Sequence, residues 1–273
     1  LPFKKMPFNF TQRIKIDPLL MAPEVQEGGS TPLTDREYIV EKFVCTPYKI
    51  GGLITEQQIE HGIADAVTDI TQELVDSVNL SITYDNIMRL QGVGAPTTRA
   101  LARLNLAIAG KPHGVGSAVA WSDPTSDIIK DILAMKTNIK KRSGAKAVAM
   151  YVPTDEYEYI MKNNGIKEEL KYVRPDFLTN GEIAMVKGVK IYEVDTFYKD
   201  RVKKDEKIPI LEHKAIMVAE DVGYTAYASA SSAPILDRWE DKDRRAVVVQ
   251  ARSNSVSVIK DYGKIGIISG TSS

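Results

Sequence analysis

Ile59, Ile63, Val67, Ile70, Leu74 and Val78 follow one another at spacings of four, four, three, four and four. That period places all six on one face of an α-helix. Just before them, Thr55-Glu56-Gln57-Gln58 has the form of a capping box, in which a threonine and a glutamine three residues on satisfy each other's backbone amides. Asp65, Asp69, Gln72 and Asp76 fall on the opposite face. At 1.5 Å per residue, residues 56–78 make a rod of roughly 35 Å. The pattern permits continuation through Ile87 and Leu90 to Gly92.

The rest of the chain must be read around this rod. A second helix is predicted to open at Asp123-Pro124, an acidic N-cap with proline in the first position. Ile128, Ile132, Met135 and Ile139 form its stripe. Lys136, Lys140, Lys141 and Arg142 crowd its end, where the helix dipole favours cations, and Gly144 follows. Ala145 to Val152 is short and nearly all apolar, as for a strand covered on both faces. Pro153-Thr154-Asp155-Glu156 opens a short third helix with Tyr157, Ile160 and Met161 inward and Asn163-Asn164-Gly165 as its stop. Strands are predicted at Val189–Val194 and Lys214–Val218, with the charged run 199–207 between them as a solvated loop. Two further strands, Ala246–Gln250 and Val256–Ile259, flank Arg252-Ser253-Asn254, and Lys264–Ser269 closes the chain. No repeat of 20–50 residues is present. The fold class expected is α+β.

The N-terminal part reads differently. Residues 1–35 carry prolines at 2, 7, 18, 23 and 32 and no sustained period, yet contain Phe3, Phe8, Phe10, Leu19, Leu20 and Met21. Such a segment cannot bury its own apolar groups, so an extended arm docked elsewhere is expected; a plain disordered terminus is the simpler alternative. Tyr38 to Tyr48 reads as a strand, rich in β-formers, with Pro47 marking an edge or an end. A hairpin there would be marginal by itself and makes more sense lying across a neighbour.

Composition then excludes several function classes. The 273 residues suit one large domain or two intertwined small ones. There are 36 Lys plus Arg against 36 Asp plus Glu, a net charge of zero. A dedicated nucleic-acid binder carries basic excess, because released counterions drive that binding. Neutrality also removes long-range repulsion between copies. Cys45 is the single cysteine, so no intrachain disulfide forms and a reducing compartment fits. No run of 18 apolar residues is present, and no secretory signal pattern is visible.

Candidate chemistry is sparse. His61, His113 and His213 are not spaced as a metal pair, and one cysteine cannot supply a zinc site. The glycine-rich pieces Gly92-Val93-Gly94 and Gly110 to Ser117 match neither phosphate-binding pattern, and Pro112 removes an amide that a phosphate nest needs. Ser117 and the run 229–232 lack the elbow of a nucleophilic serine. No catalytic, cofactor-binding or metal residues are assigned. Trp121 and Trp239 read as packing or interface anchors.

The order of elements resembles the capsid fold of tailed phages, often called the Hong Kong 97 type, and most closely the lambda-type major capsid proteins. W-S-D-P-T-S-D-I (121–128) is similar to that family's tryptophan followed by D-P-T-x-D-I. P-T-D-E-Y (153–157) after a strand, then G-V-K-I-Y (188–192), K-A-I-M-V (214–218) and K-I-G-I-I-S-G (264–270), resemble its later steps. The likeness is strongest over 121–270. It implies an N-arm at 1–32, an E-loop at 33–54, a P-domain at 55–115 with 241–273, and an A-domain at 116–240. It implies a non-enzymatic shell protein without cofactors, forming hexamers and pentamers with copies of itself around double-stranded DNA. Scaffold, portal and decoration proteins are further partners it implies, with assembly in the host cytoplasm and residence in the virion. The residues expected at contacts between subunits are Phe8, Phe10, Ile39, Phe43, Tyr48, Trp121 and Trp239. Two other readings stay open: an encapsulin-like compartment of the same fold, and a soluble α+β enzyme using an acidic pair.

Overall fold

The computed structural model describes residues 2–15, 38–60, 66–91, 113–116, 119–173, 185–194, 197–199, 207–211 and 213–271. The capping box forms as read. The Thr55 amide donates to Gln58 Oε1 at 3.0 Å, and the Gln58 amide donates to Thr55 Oγ1 at 3.4 Å. It caps a short helix, α1 (Glu56–Glu60), while the long helix α2 runs from Ala66 to Leu90. His61, Ile63 and Asp65 lie outside the described residues. The buried stripe sits further along than the sequence suggested. Leu74, Val78, Ile82, Ile87 and Leu90 are buried, Val67 and Ile70 partly so, and Ile59 is exposed.

Beneath α2 lies a five-stranded sheet built on one long strand, β14 (Ala246–Ile259). Along one edge it pairs with β4 (Thr46–Thr55). On the other edge β13 (Ile235–Asp241) and β12 (Gly223–Tyr227) lie end to end, and β1 (Phe3–Lys5) adds parallel to β12. The two strands expected at 246–250 and 256–259 are therefore one. Arg252-Ser253-Asn254 do not turn, because they pair with Lys49, Tyr48 and Pro47 of β4. The alternation of the strand runs straight through them: Ser253 is buried, with Arg252 and Asn254 partly exposed on the other face. Arg252 is accommodated by an ion pair to Asp237 at 2.8 Å.

A second sheet has six strands in the order β5-β15-β11-β6-β8-β7. Their ranges are β5 (His113–Gly116), β6 (Ala147–Pro153), β7 (Met185–Val186), β8 (Val189–Val194), β11 (Lys214–Ala219) and β15 (Ile265–Ser269). A small separate ladder joins β9 (Phe197–Lys199) to β10 (Lys207–Pro209); residues 200–206 of the expected charged loop lie outside the described residues. Helix α3 (Ile128–Ser143) covers one face of the six-stranded sheet. Its predicted stripe of Ile128, Ile132, Met135 and Ile139 is fully buried. The helix starts four residues later than expected. Asp127 is the N-cap, accepting from the Lys130 amide at 3.0 Å, and it directly precedes the first buried isoleucine. Asp123 instead closes a turn upstream, accepting from the Thr125 amide at 2.8 Å and its hydroxyl at 2.7 Å. Gly144 ends the helix at φ 69°, with its amide on the Lys140 carbonyl.

The third helix, α4 (Thr154–Lys162), stops where predicted, but the chain enters another helix at once, α5 (Asn164–Val173). Asn163 serves both: its Oδ1 accepts from the Ile166 amide at 3.3 Å, and its Nδ2 donates to the Ser126 carbonyl at 3.1 Å. Glu156, read as a helix-opening acid, is 1% exposed and accepts from Thr271 Oγ1 at 2.9 Å, which ties the end of the chain to α4.

Sheet membership cuts across the expected division at 116 and 240. β12 and β13 belong with β14, and β15 belongs with the six-stranded sheet. One apolar cluster joins the two sheets, with Val256, Val258 and Tyr224 on one side and Ile216, Val218 and Ile265 on the other.

Candidate assembly surfaces

Strand β2 (Asn9–Lys15) pairs antiparallel with β3 (Tyr38–Val44), in register from Asn9 opposite Val44 to Lys15 opposite Tyr38. The expected arm and loop are thus joined: residues 9–15, assigned to the arm, form one leg of the hairpin. Its base is anchored on the body. Phe10 and Phe43 face each other with ring centroids 5.4 Å apart, both buried, beside the fully buried Cys45. The Cys45 amide donates to the Phe8 carbonyl at 3.0 Å, and burial pushes its thiol pKa up, so it stays protonated. Tyr224 on β12 donates its hydroxyl to Gln12 Oε1 on β2. Away from this base, the pairing described for the two strands is with each other. A two-stranded ribbon of this kind is not stable alone in water.

The second surface is the face of the five-stranded sheet turned away from α2. Ile54, Val247, Val249 and Ala251 point to the helix. Their neighbours point outward, and the register aligns Trp239, Val248 and Leu53 in one row across three strands. Trp239 is 47% exposed and Leu53 39%. Ile235, on the same strand and face as Trp239, is exposed too, and Leu236 is exposed on the opposite face, in register with Ala251. Among the described residues β13 has a partner on one edge only. An uncovered edge with exposed apolar side chains is a template for another chain.

The residues singled out from sequence separate into two groups. Phe8 and Trp239 are exposed and free to meet another molecule. Phe10 and Phe43 are spent inside their own subunit, as is Trp121, which is 2% exposed and donates Nε1–H to Asp131 Oδ2 at 3.0 Å. The reason is that Trp121 opens the α3 cluster, where a large apolar ring is needed. Tyr48 is partly buried. Its phenol is pushed up to about 12, by burial first and by the charge of Asp85 second, with Arg89 opposing. Ile39 stands opposite Ile14 in the hairpin register. The sequence reading missed Leu53, Ile235 and Leu236. For Ile235 and Leu236 the signal was present as the apolar pair following Pro234, but β13 carries four charged residues in seven, which masks a strand. Among the described residues, no three His, Cys, Asp or Glu side chains are grouped to hold a metal ion, and no helix is long and apolar enough to cross a membrane.

These features have counterparts in known proteins. Residues 110–252 match the family model described as phage major capsid protein E. No curated protein matches the sequence. The fold is similar to that of a solved structure from Mycobacterium phage Che8, with a TM-score of 0.64 at 11% identity over 98% of this chain and 86% of that one. It is also similar to the capsid of a native GTA particle, at a TM-score of 0.67, 10% identity and coverage of 99% and 88%. A virus-like particle from Pyrococcus furiosus gives 0.58, 12%, 98% and 89%. Since the family model spans just over half of the residues, and the two sheets with their long helix have the Hong Kong 97-type architecture, the chain belongs to the phage major capsid protein E family of shell-forming proteins.

Proposed function

We propose that this chain closes into hexamers and pentamers of an icosahedral head around double-stranded DNA, and that its only activity is assembly. The observation that carries this reading is the outward row of exposed Trp239 and Leu53 with half-buried Val248 between them, beside an edge of β13 that has no partner among the described residues, on a chain whose hairpin lacks a core of its own. One surface lacks a cover and the other lacks a support, so each copy offers what the next one needs. Two different patches in contact make a heterologous interface, which closes into rings. Phe8 and Trp239 are the contact residues retained from the sequence, joined by Leu53, Ile235 and Leu236.

The division of the chain follows the sheets. Residues 6–8 lead from β1 into the hairpin, and 9–15 with 38–44 form the hairpin itself. α1 and α2 with the five-stranded sheet form the peripheral domain, and α3 to α5 with the six-stranded sheet form the axial one. Scaffold, portal and decoration proteins complete such a head, which is assembled in the host cytoplasm and persists as the virion.

Electron microscopy of the purified protein tests this. Closed shells are expected, with nuclease-protected DNA inside native particles. A sharp monomer under every assembly condition refutes the reading. Trp239→Ser and Leu53→Ser subunits are expected to stay folded and lose assembly. The likeness to the Pyrococcus furiosus virus-like particle favours a second reading, a compartment holding protein cargo. Particles that contain a co-purifying protein and no nucleic acid would select it.

A further inference from the structure

Where the hairpin leaves the body, four segments meet at one ring. Tyr224 is 3% exposed on β12, with its backbone paired to Val258 of β14. Its hydroxyl donates to Gln12 Oε1 of β2. Lys4 Nζ, from the N-terminal segment, stands over the ring at 5.1 Å from the centroid, and Lys260 Nζ stands at 5.7 Å. Lys260 is in turn held by an ion pair to Asp221. Packing at Phe10, Phe43 and Cys45 fastens the hairpin to the body, but apolar contact has no direction and permits rotation about the contact. A hydrogen bond between a rigid strand and a hairpin residue does have direction.

We propose that Tyr224 is a positioning residue which fixes the angle at which the β2–β3 hairpin leaves its subunit, and through it the curvature of the shell. The proposal rests on the reading that the hairpin reaches a neighbouring copy. The ring cannot shift, because β12 is held between β1 and β14. Gln12 lies two residues from the anchored Phe10, opposite Glu41 in the register. A small change of angle at that point is multiplied along the hairpin.

Three variants separate direction from packing. Tyr224→Phe removes only the donor, Gln12→Leu removes the acceptor, and Gln12→Glu keeps an acceptor. Amide hydrogen exchange on the dissociated full-length subunit is the first readout. Tyr224→Phe and Gln12→Leu are expected to exchange roughly fivefold faster over residues 9–15 and 38–44, the weight of one ordinary hydrogen bond. Gln12→Glu should match the wild type, and β6 and β14 should not change. An unchanged hairpin in Tyr224→Phe overturns the proposal. So does Gln12→Glu behaving like Gln12→Leu, or faster exchange everywhere, which would mark a merely structural role. Shell diameters by electron microscopy are the second readout. Tyr224→Phe is expected to broaden them, and a wild-type distribution with a loosened hairpin overturns the positioning role. The underlying reading is judged apart from these: if wild-type hairpin amides gain no protection on assembly, the hairpin does not dock, whatever the subunit shows.

Discussion

Among the glycines of the five-stranded sheet, Gly223 makes the tightest backbone approach, and replacing it with alanine gives a sharp test of the packing described. It opens β12 opposite Ile259 of β14. A Cβ placed there would sit 2.2 Å from the Val258 carbonyl oxygen and 3.1 Å from Ile259 Cα. An ordinary carbon–oxygen contact is about 3.3 Å, so the strands would have to part by about 1 Å. Neither strand can retreat freely. β12 carries β1 on its far edge from Thr225 onward and buries Tyr224 and Ala226, while Val258 and Ile259 of β14 are themselves buried. Relief comes by breaking the terminal pair, at about 1 kcal/mol for each hydrogen bond lost, or by strain of about 1–3 kcal/mol. Either route predicts a loss of about 2 kcal/mol and a fall in Tm of about 4–8 °C for a chain of this size. Urea unfolding of the dissociated subunit should show a lower midpoint at unchanged slope. Gly116→Ala is the control, because a Cβ there meets nothing within 4 Å among the described residues. It should stay within about 0.5 kcal/mol of wild type. A Gly223→Ala subunit as stable as the control would refute the close approach.

Three other outcomes follow from burial and charge. Ile132→Ala, in the middle of the α3 stripe at 0% exposure, should cost about 2–5 kcal/mol in the same unfolding assay. Leu74→Asp should leave no soluble subunit on expression, since it places an unpaired charge between α2 and β4; Gln72→Asp, on the exposed face of the same helix, should express normally. The Tyr48 phenol keeps its proton in the folded chain up to a pKa of about 12, whereas the unfolded chain releases it near 10. Stability should therefore fall as pH rises from 10 to 12, and Tyr48→Phe should flatten that part of the curve, followed by unfolding midpoints at stepped pH.

Local chemistry was the most legible part of the sequence. The reciprocal bonds of Thr55 and Gln58, the α3 stripe, the left-handed Gly144 and the strand at Val189–Val194 depend on residues a few positions apart, and each appears where the pattern put it. What required distant partners was not legible. Arg252-Ser253-Asn254 looks like a turn until Lys49, Tyr48 and Pro47 are known to lie beside it. Asn163-Asn164-Gly165 has the chemistry of a helix stop and of a helix start, and only the Ser126 carbonyl shows that it is both. The hairpin was the hardest to see, since residues 9–15 and 38–44 share no local signal and meet only in the ladder. For the contact surfaces, exposure was the missing quantity: nothing in the sequence separates Trp121 from Trp239, yet one is 2% exposed and the other 47%.

The period of β14 explains how a subunit can be firm inside and adaptable where it meets others. Odd-numbered residues in its second half, Ser253, Ser255 and Ser257, face α2, where Asn86 Oδ1 accepts from Ser257 Oγ at 2.5 Å and from Thr225 Oγ1 at 3.1 Å. Even-numbered Val256 and Val258 face the six-stranded sheet. One strand therefore bonds the long helix on one side and joins both sheets on the other, so the two halves of the body are held by a shared core. Apart from Phe10 and Phe43 at its base, the described part of the hairpin takes little part in that core, and neither does the outer face of β13. Substitutions there change little in the folding of the subunit, because burial elsewhere supplies its stability. Contacts between copies can then be weak singly and reversible during assembly, with the stability of a closed shell arising from their number. A subunit whose contact surfaces were also its core could not adjust one without weakening the other.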